Sequence, residues 1–346
     1  MGTSTARRSV STARSGWRPA DPMTDRRGDL RRGYGAGMDL QKLEYFLAVR
    51  SHGSVNAAAA RLGVAQPTIS QALRALEREF GVELFHRIGR GMVLTSAGHA
   101  LAGPARRLMR DVASTASSVS GHEGNLAGVI EIAATPSLAM GPMVELIGEF
   151  HRRLPRTRVH IEWLREETKG LEMLRDGDVE LVLTHLPMAV PPGRLWDRNF
   201  DVLPMGIQEY WYALPPSEAH RLPEGDGPID FADLPEVPMV IVPGSSVAGQ
   251  IEAAFSDAGR ALTPAAVLEH REARMSFVAA GVGSTFLERS LIESATARGI
   301  VCRQVNPQIR RPFGFVYVEE EISPVGAAFI DLARESAGST ADEQLA

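Results

Sequence analysis

The sequence predicts a helical unit near the amino terminus, a connecting helix, and a larger α/β domain with two lobes. Three observations lead to this prediction. Apolar residues recur at helical spacing on either side of a glycine within residues 54–77. An alanine-rich amphipathic stretch follows Ser96. From Val129 onward, strand-like and helix-like segments alternate, which is typical of parallel sheets covered by helices.

Length and composition agree with several compact units. The chain has 346 residues and 44% hydrophobic residues, which suits roughly two or three domains with cores of their own. No apolar run reaches the roughly 18 residues of a membrane-spanning helix. The net charge is −5, but residues 38–96 hold seven Lys/Arg against five Asp/Glu. The positive charge therefore lies in the helical unit and the acidity elsewhere.

Residues 54–77 predict two short helices joined by a tight turn. Ser54 is placed to cap the first helix and Gly63 to end it, because glycine tolerates the positive φ of such an end. Pro67 falls in the first turn of the second helix, where no hydrogen bond is lost. The residues expected to face inward are Val55, Ala58, Ala59, Leu62, Ile69, Leu73 and Leu76.

The outer face of the second helix carries short or forked hydrogen-bonding side chains, which suit base edges and phosphates. These side chains are Gln66, Thr68, Ser70, Gln71 and Arg74. The pattern predicts a DNA-binding helix-turn-helix. The alternative is an ordinary amphipathic helix pair of a soluble protein.

Gly81 is predicted to end the second helix, and the segment after it, VELFHRIGRGMVLT, predicts a short β-hairpin with glycines and arginines at its tip. A basic hairpin beside a recognition helix is a wing. Arg87 and Arg90 would contact phosphate or a minor groove, where such contacts supply affinity and register. The alternative is that these arginines only line a solvated surface.

The stretch after Ser96 predicts a long amphipathic helix. Its apolar side holds Leu101, Ala105, Leu108 and Val112, and Pro104 predicts a kink or a late start. We expect this helix to pair with its twin in a second copy, although a plain packed helix is the alternative. Such pairing would let two recognition helices contact half-sites roughly 34–36 Å apart.

From Val129 the order β-α-β-α-β predicts parallel pairing with right-handed crossovers. A second set of strands and helices follows.

Ligands of such sheets bind beyond the carboxyl ends of strands. Thr135-Pro136-Ser137 and Pro243-Gly244-Ser245-Ser246 each follow a strand and open a helix, whose free N–H groups favour an anion such as a carboxylate. The predicted ligand-binding residues are Thr135, Pro136, Ser137, Thr184 and His185, which stand at the ends of strands, and Ser245 and Ser246, with Arg271 a weaker candidate. The alternative is that these hydroxyls only cap helices.

Residues 38–96 resemble the DNA-binding domain of LysR-type transcriptional regulators, and a looser similarity continues to about residue 335. The residues that carry the resemblance are MDLQKLEYFLAV, Ala57–Ala60, Leu62, Val64, Gln66, Pro67, Ser70, Leu73, Leu76, Glu77, Gly81, Leu84, Phe85, Arg87 and Leu94–Gly98. The resemblance implies DNA contacts by Gln66, Pro67, Ser70 and Gln71 from the recognition helix and by Arg87 and Arg90 from the wing. Ser54, Thr68 and Arg74 are predicted as further DNA contacts. Members of the family often carry arginine where this chain has Gln71, so an altered operator preference is expected, since glutamine suits adenine and arginine suits guanine.

The resemblance also implies the fold class: an all-α winged helix-turn-helix with a linker helix, then an α/β two-lobed effector domain resembling periplasmic solute-binding proteins. The predicted bounds are 38–96 for the DNA-binding domain, 97–126 for the linker and 127–346 for the effector domain. Lobe 1 would span about 127–197 and 305–346, so that the last strand, FGFVYV, and the helix PVGAAFIDLAR return to the first lobe. Lobe 2 would span about 198–304. Residues 1–37 hold eight arginines and few aliphatic residues. They predict a disordered extension or a mis-assigned start, with a basic DNA-tracking arm as the alternative.

We therefore expect a cytoplasmic regulator that binds double-stranded DNA and responds to a small, anionic effector. A homodimer is expected from the linker helix, and the family implies a homotetramer and RNA polymerase as a further partner. The sequence predicts no cofactor, metal or catalytic residue, because no HExxH or complete dinucleotide motif is present. It also predicts no membrane contact, because no apolar run is long enough to span a membrane. Cys302, the single cysteine, fits a reducing compartment and a buried position, with redox sensing as the alternative. The alternative functions are a solute-binding protein of the same fold without DNA function, and an enzyme acting on small carboxylates.

Overall fold

The computed structural model of the protein describes residues 39–89, 91–119, 126–164, 166–187 and 200–344. The predictions for residues 1–37, for Arg90 and for the end of the linker at 120–125 lie outside the described residues.

The first unit contains three helices and a hairpin: α1 (Leu40–His52), α2 (Val55–Leu62), α3 (Gln66–Phe80), β1 (Phe85–Ile88) and β2 (Gly91–Leu94). The Ser54 hydroxyl caps α2 by accepting a hydrogen bond from the Ala57 amide at 3.1 Å. Gly63 ends α2 at a φ of 67° and Gly81 ends α3 at 69°. The predicted cap, turn and hairpin are therefore confirmed.

The core of this unit is small but complete. Ile69, Leu73 and Leu76 point inward from α3 as predicted. The Phe46 and Phe85 rings lie 5.3 Å apart between centroids and join α1 to the hairpin. The unit is thus held by a core of its own, separate from those of the α/β domain.

The connecting helix α4 (Ser96–Val119) begins before Pro104 and continues through it, so the late start considered from that proline does not occur. Gly98 lets the helix approach the hairpin closely, since a Cβ there would lie 2.2 Å from the Leu84 carbonyl oxygen. The predicted apolar side is divided between two environments. Ala105 is buried in the first unit, whereas Leu108 and Val112 are 37% and 39% exposed.

A seven-stranded sheet runs through both lobes. The first lobe contributes β3 (Gly128–Ala134), β4 (Thr157–Trp163) and β5 (Leu181–His185), which pair in parallel as predicted. Two long antiparallel strands, β6 (Asp201–Leu214) and β13 (Ile309–Tyr317), extend the sheet from β5 toward the second lobe. The lobes are therefore joined by crossing strands.

The helices of the first lobe are α5 (Pro136–Ala139), α6 (Pro142–Arg153), α7 (Gly170–Arg175) and α11 (Pro324–Gln344). Phe329 of α11 packs edge-to-face against Phe150 and Phe315, at centroid distances of 5.0 Å and 5.6 Å. The carboxyl-terminal strand and helix thus return to the first lobe as predicted.

The second lobe contains β7 (Ile229–Asp230), β8 (Met239–Ile241), α8 (Ala248–Asp257), β9 (Pro264–Val267), α9 (Arg274–Ala279), β10 (Thr285–Glu288), α10 (Ile292–Thr296), β11 (Val301–Arg303) and β12 (Val305–Asn306). Its core stacks Phe231 on Phe286, with Tyr212 against the same ring. Within the described residues, no helix combines the length and apolar character needed to cross a membrane.

Candidate functional site

Helix α3 presents most of the predicted DNA contacts on its outer face. Gln66, Pro67, Thr68, Gln71 and Arg74 are exposed, and Ser70 is half-buried. The Gln66 amide donates a hydrogen bond to the Ser70 hydroxyl at 2.9 Å. This bond orients the Gln66 side chain along the helix, so its carbonyl oxygen is available to accept from a base.

The hairpin lies beside α3, as expected of a wing. The Glu77 carboxylate accepts a hydrogen bond from the Leu84 amide at 3.0 Å, which ties α3 to the start of the hairpin. A groove of about 350 Å³ runs between them, and its lining includes Ser70, Arg74 and Arg87. Exposed His86 lines the same groove and adds an imidazole to it, which the sequence pattern did not indicate.

Ser54 is used structurally, because its hydroxyl caps α2 and its side chain is half-buried. It nevertheless begins the helix that precedes the turn into α3, so a DNA contact by Ser54 stays a prediction alongside the others.

The predicted ligand-binding residues of the first lobe lie where β3 and β5 end. Thr135 and Thr184 are buried, and their hydroxyl oxygens lie 3.4 Å apart. Thr135 precedes α5 but makes no side-chain capping bond to it. The interpretation that this hydroxyl only caps a helix therefore does not describe Thr135.

His185 is the centre of a buried polar network. Its Nδ1 lies 3.1 Å from the Glu167 carboxylate, and its Nε2 lies 2.8 Å from the Gln208 carbonyl oxygen. The Tyr210 hydroxyl donates to the same Gln208 oxygen at 2.6 Å. Burial raises the pKa of Tyr210 to about 12, so this hydroxyl remains a donor at neutral pH. The network connects the end of β5 to the crossing strand β6.

Arg311, on the other crossing strand, joins the two lobes. Its guanidinium lies 3.3 Å from the Glu167 carboxylate of the first lobe and donates to the Ser246 carbonyl of the second lobe at 2.9 Å. Burial is the largest single influence on the pKa of Glu167 and acts to raise it. The hydrogen bond from His185 and the charge of Arg311 outweigh that influence, so the pKa of Glu167 lies below its usual value.

The remaining predicted residues differ in how they meet this network. The Ser137 carbonyl accepts from the Gln208 amide at 3.3 Å, while the buried Ser137 hydroxyl has no hydrogen-bond partner among the described residues. The Ser246 hydroxyl lies 3.4 Å from that of Tyr210. Ser245 is half-buried and makes no side-chain hydrogen bond to the network within the described chain. Pro136 occupies the first turn of α5 and offers no N–H.

A small cavity of about 50 Å³ adjoins Ser137 at the junction of the lobes. Its apolar lining is Met140, Met275, Leu287 and Leu291. Arg271 and Arg274 also line it, and the Glu288 carboxylate lies 3.5 Å and 2.8 Å from these two guanidinium groups. The weaker candidate Arg271 is therefore at the cleft, beside a surface that suits an apolar group.

Four residues of the network were not predicted from the sequence: Glu167, Gln208, Tyr210 and Arg311. Gln208 and Tyr210 stand two residues apart in β6, a spacing that places both side chains on one face of the strand, and this signal could have found them. Glu167 and Arg311 are separated by 144 positions, and no local pattern connects them.

Two family models match the chain. A model of the LysR substrate binding domain covers residues 123–338, and a model of bacterial regulatory helix-turn-helix proteins of the lysR family covers residues 40–99. The two matches are consecutive, and the larger one alone spans more than half of the chain.

Curated relatives and solved structures agree. The transcriptional regulator TcbR of Pseudomonas sp. (strain P51) is 27% identical over 309 residues, which cover 87% of this chain and 99% of the relative. The regulator ShiR of Corynebacterium glutamicum (strain R) is 31% identical over 206 residues, or 60% of this chain and 66% of the relative. The crystal structure of full-length CbnR with its target DNA matches with a TM-score of 0.50 and 25% identity, covering 87% of this chain and 100% of CbnR.

Proposed function

The chain belongs to the LysR family of bacterial transcriptional regulators, and we propose that a small anionic effector, held between its lobes, modulates its sequence-specific binding to DNA. The DNA-binding part of this proposal rests on the exposed face of α3. Five of its predicted contacts face outward beside a wing that presents Arg87.

Side-chain chemistry distinguishes the base contacts of this surface from its phosphate contacts. Gln71 is exposed at the middle of α3, and a glutamine can pair with both N6 and N7 of adenine. Arg87 on the hairpin would contact phosphate, which adds affinity without sequence choice. Ser54, Gln66, Pro67, Thr68, Ser70, Arg74 and Arg90 complete the proposed interface.

Three guanidinium groups at the cleft support an anionic effector. Arg271, Arg274 and Arg311 lie beside the carboxylates of Glu167 and Glu288, and Glu272 also lines the small cavity. The Ser137 hydroxyl, which has no hydrogen-bond partner among the described residues, supplies a further polar contact. The methionine- and leucine-lined cavity beside Ser137 would take an apolar part of the same molecule.

We propose that this effector contacts Thr135, Pro136, Ser137, Thr184, His185, Ser245 and Ser246, together with Arg311. It acts by binding one arrangement of the lobes more tightly than another, because a ligand shifts an equilibrium only by its differential affinity. The response then appears as a change in the geometry of the bound recognition helices.

The proposal includes a homodimer, with a homotetramer as the larger assembly and RNA polymerase as a further partner. Leu108 and Val112 support pairing through α4, because they extend the apolar side of the helix beyond the part that packs on its own DNA-binding unit. A two-fold dimer would place two α3 helices on half-sites of a symmetric operator.

The DNA half is tested by footprinting the chain on the DNA upstream of its own gene across a salt series. The wild type should protect a two-fold-symmetric site. Gln71→Ala should relax the sequence preference, whereas Arg87→Ala should weaken binding to all sequences and lower the salt slope by about one. A chain that protects no specific site, with both variants behaving like wild type, would contradict the assignment.

The effector half is tested with benzoate and succinate, each compared with its uncharged amide, as probes of thermal stability. An anion-selective cleft predicts stabilisation by an acid and not by its amide, and loss of this effect in Arg311→Met. Arg334→Met is the matched control, since Arg334 is an exposed arginine of α11 that pairs with Asp331. Equal responses to acid and amide would contradict the anionic assignment.

A further inference from the structure

Two glycines bring the linker helix against the first lobe at the start of β5. Gly177 has a φ of 66°, and a Cβ on it would lie 2.7 Å from the Gly103 Cα of α4. A Cβ on Gly103 would lie 2.9 Å from the Arg175 carbonyl oxygen. The backbones of α4 and of the first lobe are therefore in direct contact. A side chain on either glycine would push them apart.

Basic side chains of the DNA-binding unit and its helix surround this contact and meet acidic groups of the first lobe. Arg50 of α1 forms a bidentate pair with Asp178, with one N–O distance of 2.8 Å, and Arg106 of α4 pairs with the same carboxylate. Arg110 donates to the Gly177 carbonyl at 3.2 Å, and its Nε lies 3.5 Å from the Glu180 carboxylate.

Burial distinguishes this cluster from ordinary surface pairs. The Arg50 side chain is 13% exposed and that of Glu180 is fully buried. Exposed ion pairs contribute little to stability, whereas a buried charge that loses its partner is strongly unfavourable. Desolvation also lowers the pKa of Arg106, in spite of the nearby carboxylate of Asp178. These groups therefore need one another in this arrangement.

The position of this contact connects it to the cleft through β5. Glu180 immediately precedes β5, and β5 ends at Thr184 and His185 in the cleft. At about 3.3 Å per residue, the two ends lie roughly 16 Å apart along one rigid strand. The opposite ends of β5 thus lie at the proposed effector site and at the ion-pair cluster.

We propose that Gly103, Gly177 and the pairs of Arg50, Arg106 and Arg110 with Asp178 and Glu180 form a docking interface that fixes the DNA-binding unit on the first lobe of its own chain, and that β5 transmits the state of the cleft to it. The transmission half rests on the proposed effector function. The docking half depends on neither effector nor DNA.

Hydrogen exchange of the full chain without DNA tests the docking half. Asp178→Asn keeps the shape but removes the charge, and Gly103→Ala inserts a methyl group between the two backbones. Each should raise amide exchange in residues 99–107 and 175–180 by roughly tenfold. Gly148→Ala and Asp331→Asn are matched controls, because Gly148 has open space around its Cβ position and Asp331 forms an exposed pair. Exchange in both variants equal to that of the controls would overturn the docking interface.

A double-mutant cycle tests whether the ion pairs act as a unit. The exchange increase in Arg50→Gln combined with Asp178→Asn should be smaller than the product of the two single increases, because both substitutions remove the same interaction. Independent, multiplicative effects would overturn the pairing of these two residues.

The transmission half is tested in Arg311→Met, which changes the cleft without touching the docking residues. Exchange in residues 99–107 should change by at least about threefold, measured relative to the amides of β4 as an internal reference. An unchanged ratio would overturn transmission through β5. The docking measurements and the footprints of the DNA-binding surface would be unaffected, so the separate proposals fail separately.

Discussion

The proposed DNA-binding surface and the interlobe cleft are assembled in opposite ways. The surface uses residues of one short segment, most of them exposed on α3 and on the hairpin that follows it. The cleft draws on β3, β5, both crossing strands and the loop before α8, and its polar groups are mostly buried.

This difference determines how each region tolerates change. An exposed side chain of α3 can be replaced at little cost to the fold, because water solvates whatever replaces it. A buried group of the cleft is held by partners that would be left unsatisfied, so the same replacement affects stability as well as ligand binding.

The largest effect is expected for Glu288→Gln. The Glu288 carboxylate is almost fully buried and accompanies the buried Arg274 and the half-buried Arg271, so neutralising it leaves both guanidinium groups without this partner and should cost about 3–5 kcal/mol of unfolding free energy. Urea unfolding followed by tryptophan fluorescence measures this cost. The signal does not come from the DNA-binding unit or from α4, because residues 39–119 contain no tryptophan. Asp331→Asn, which breaks an exposed pair, should cost no more than about 1 kcal/mol. Similar costs for the two variants would remove the contrast between buried and exposed groups.

A smaller effect is expected for Ser54→Ala in the DNA-binding unit. Loss of the capping bond to the Ala57 amide should cost about 1 kcal/mol, observed as a lower helix-melting midpoint by circular dichroism. Ser54→Gly should cost only a few tenths of that amount, because glycine is itself an acceptable N-cap. If alanine and glycine destabilised the unit equally, the capping bond would not be the cause.

The smallest effect is expected for Glu167→Gln and depends on pH. A lowered pKa means that the ionised Glu167 stabilises the folded state above the ordinary value of 4.5, and that this stabilisation is lost as the pH falls through the folded-state pKa. Wild type should therefore lose stability of the effector domain on the acid side. Glu167→Gln should be less stable at pH 7 and have a flatter acid limb in urea midpoints measured from pH 7 to 3. Parallel curves for the two proteins would contradict the pairing with His185 and Arg311.

Local patterns specify much of the first unit. Ser54, Gly63, Pro67 and Gly81 act within a few residues of their own position, so their roles as caps and turn residues follow from the sequence alone and are confirmed. The parallel order of β3, β4 and β5 also follows from the alternation of strands and helices. The resemblance to the LysR family then identified the fold class to which these elements belong.

The remaining features depend on pairings between distant segments. The place of His185 at a strand end predicts a role in the cleft, yet its partners Gln208 and Glu167 come from another strand and another loop. Arg50 and Asp178 are 128 positions apart, and each alone resembles a solvated surface charge. The sequence by itself determined the caps, turns and strand order, because these depend on backbone preferences and short-range periodicity. Only the tertiary structure decided which charges are buried together, because desolvation and hydrogen-bond partners are set by where distant segments meet.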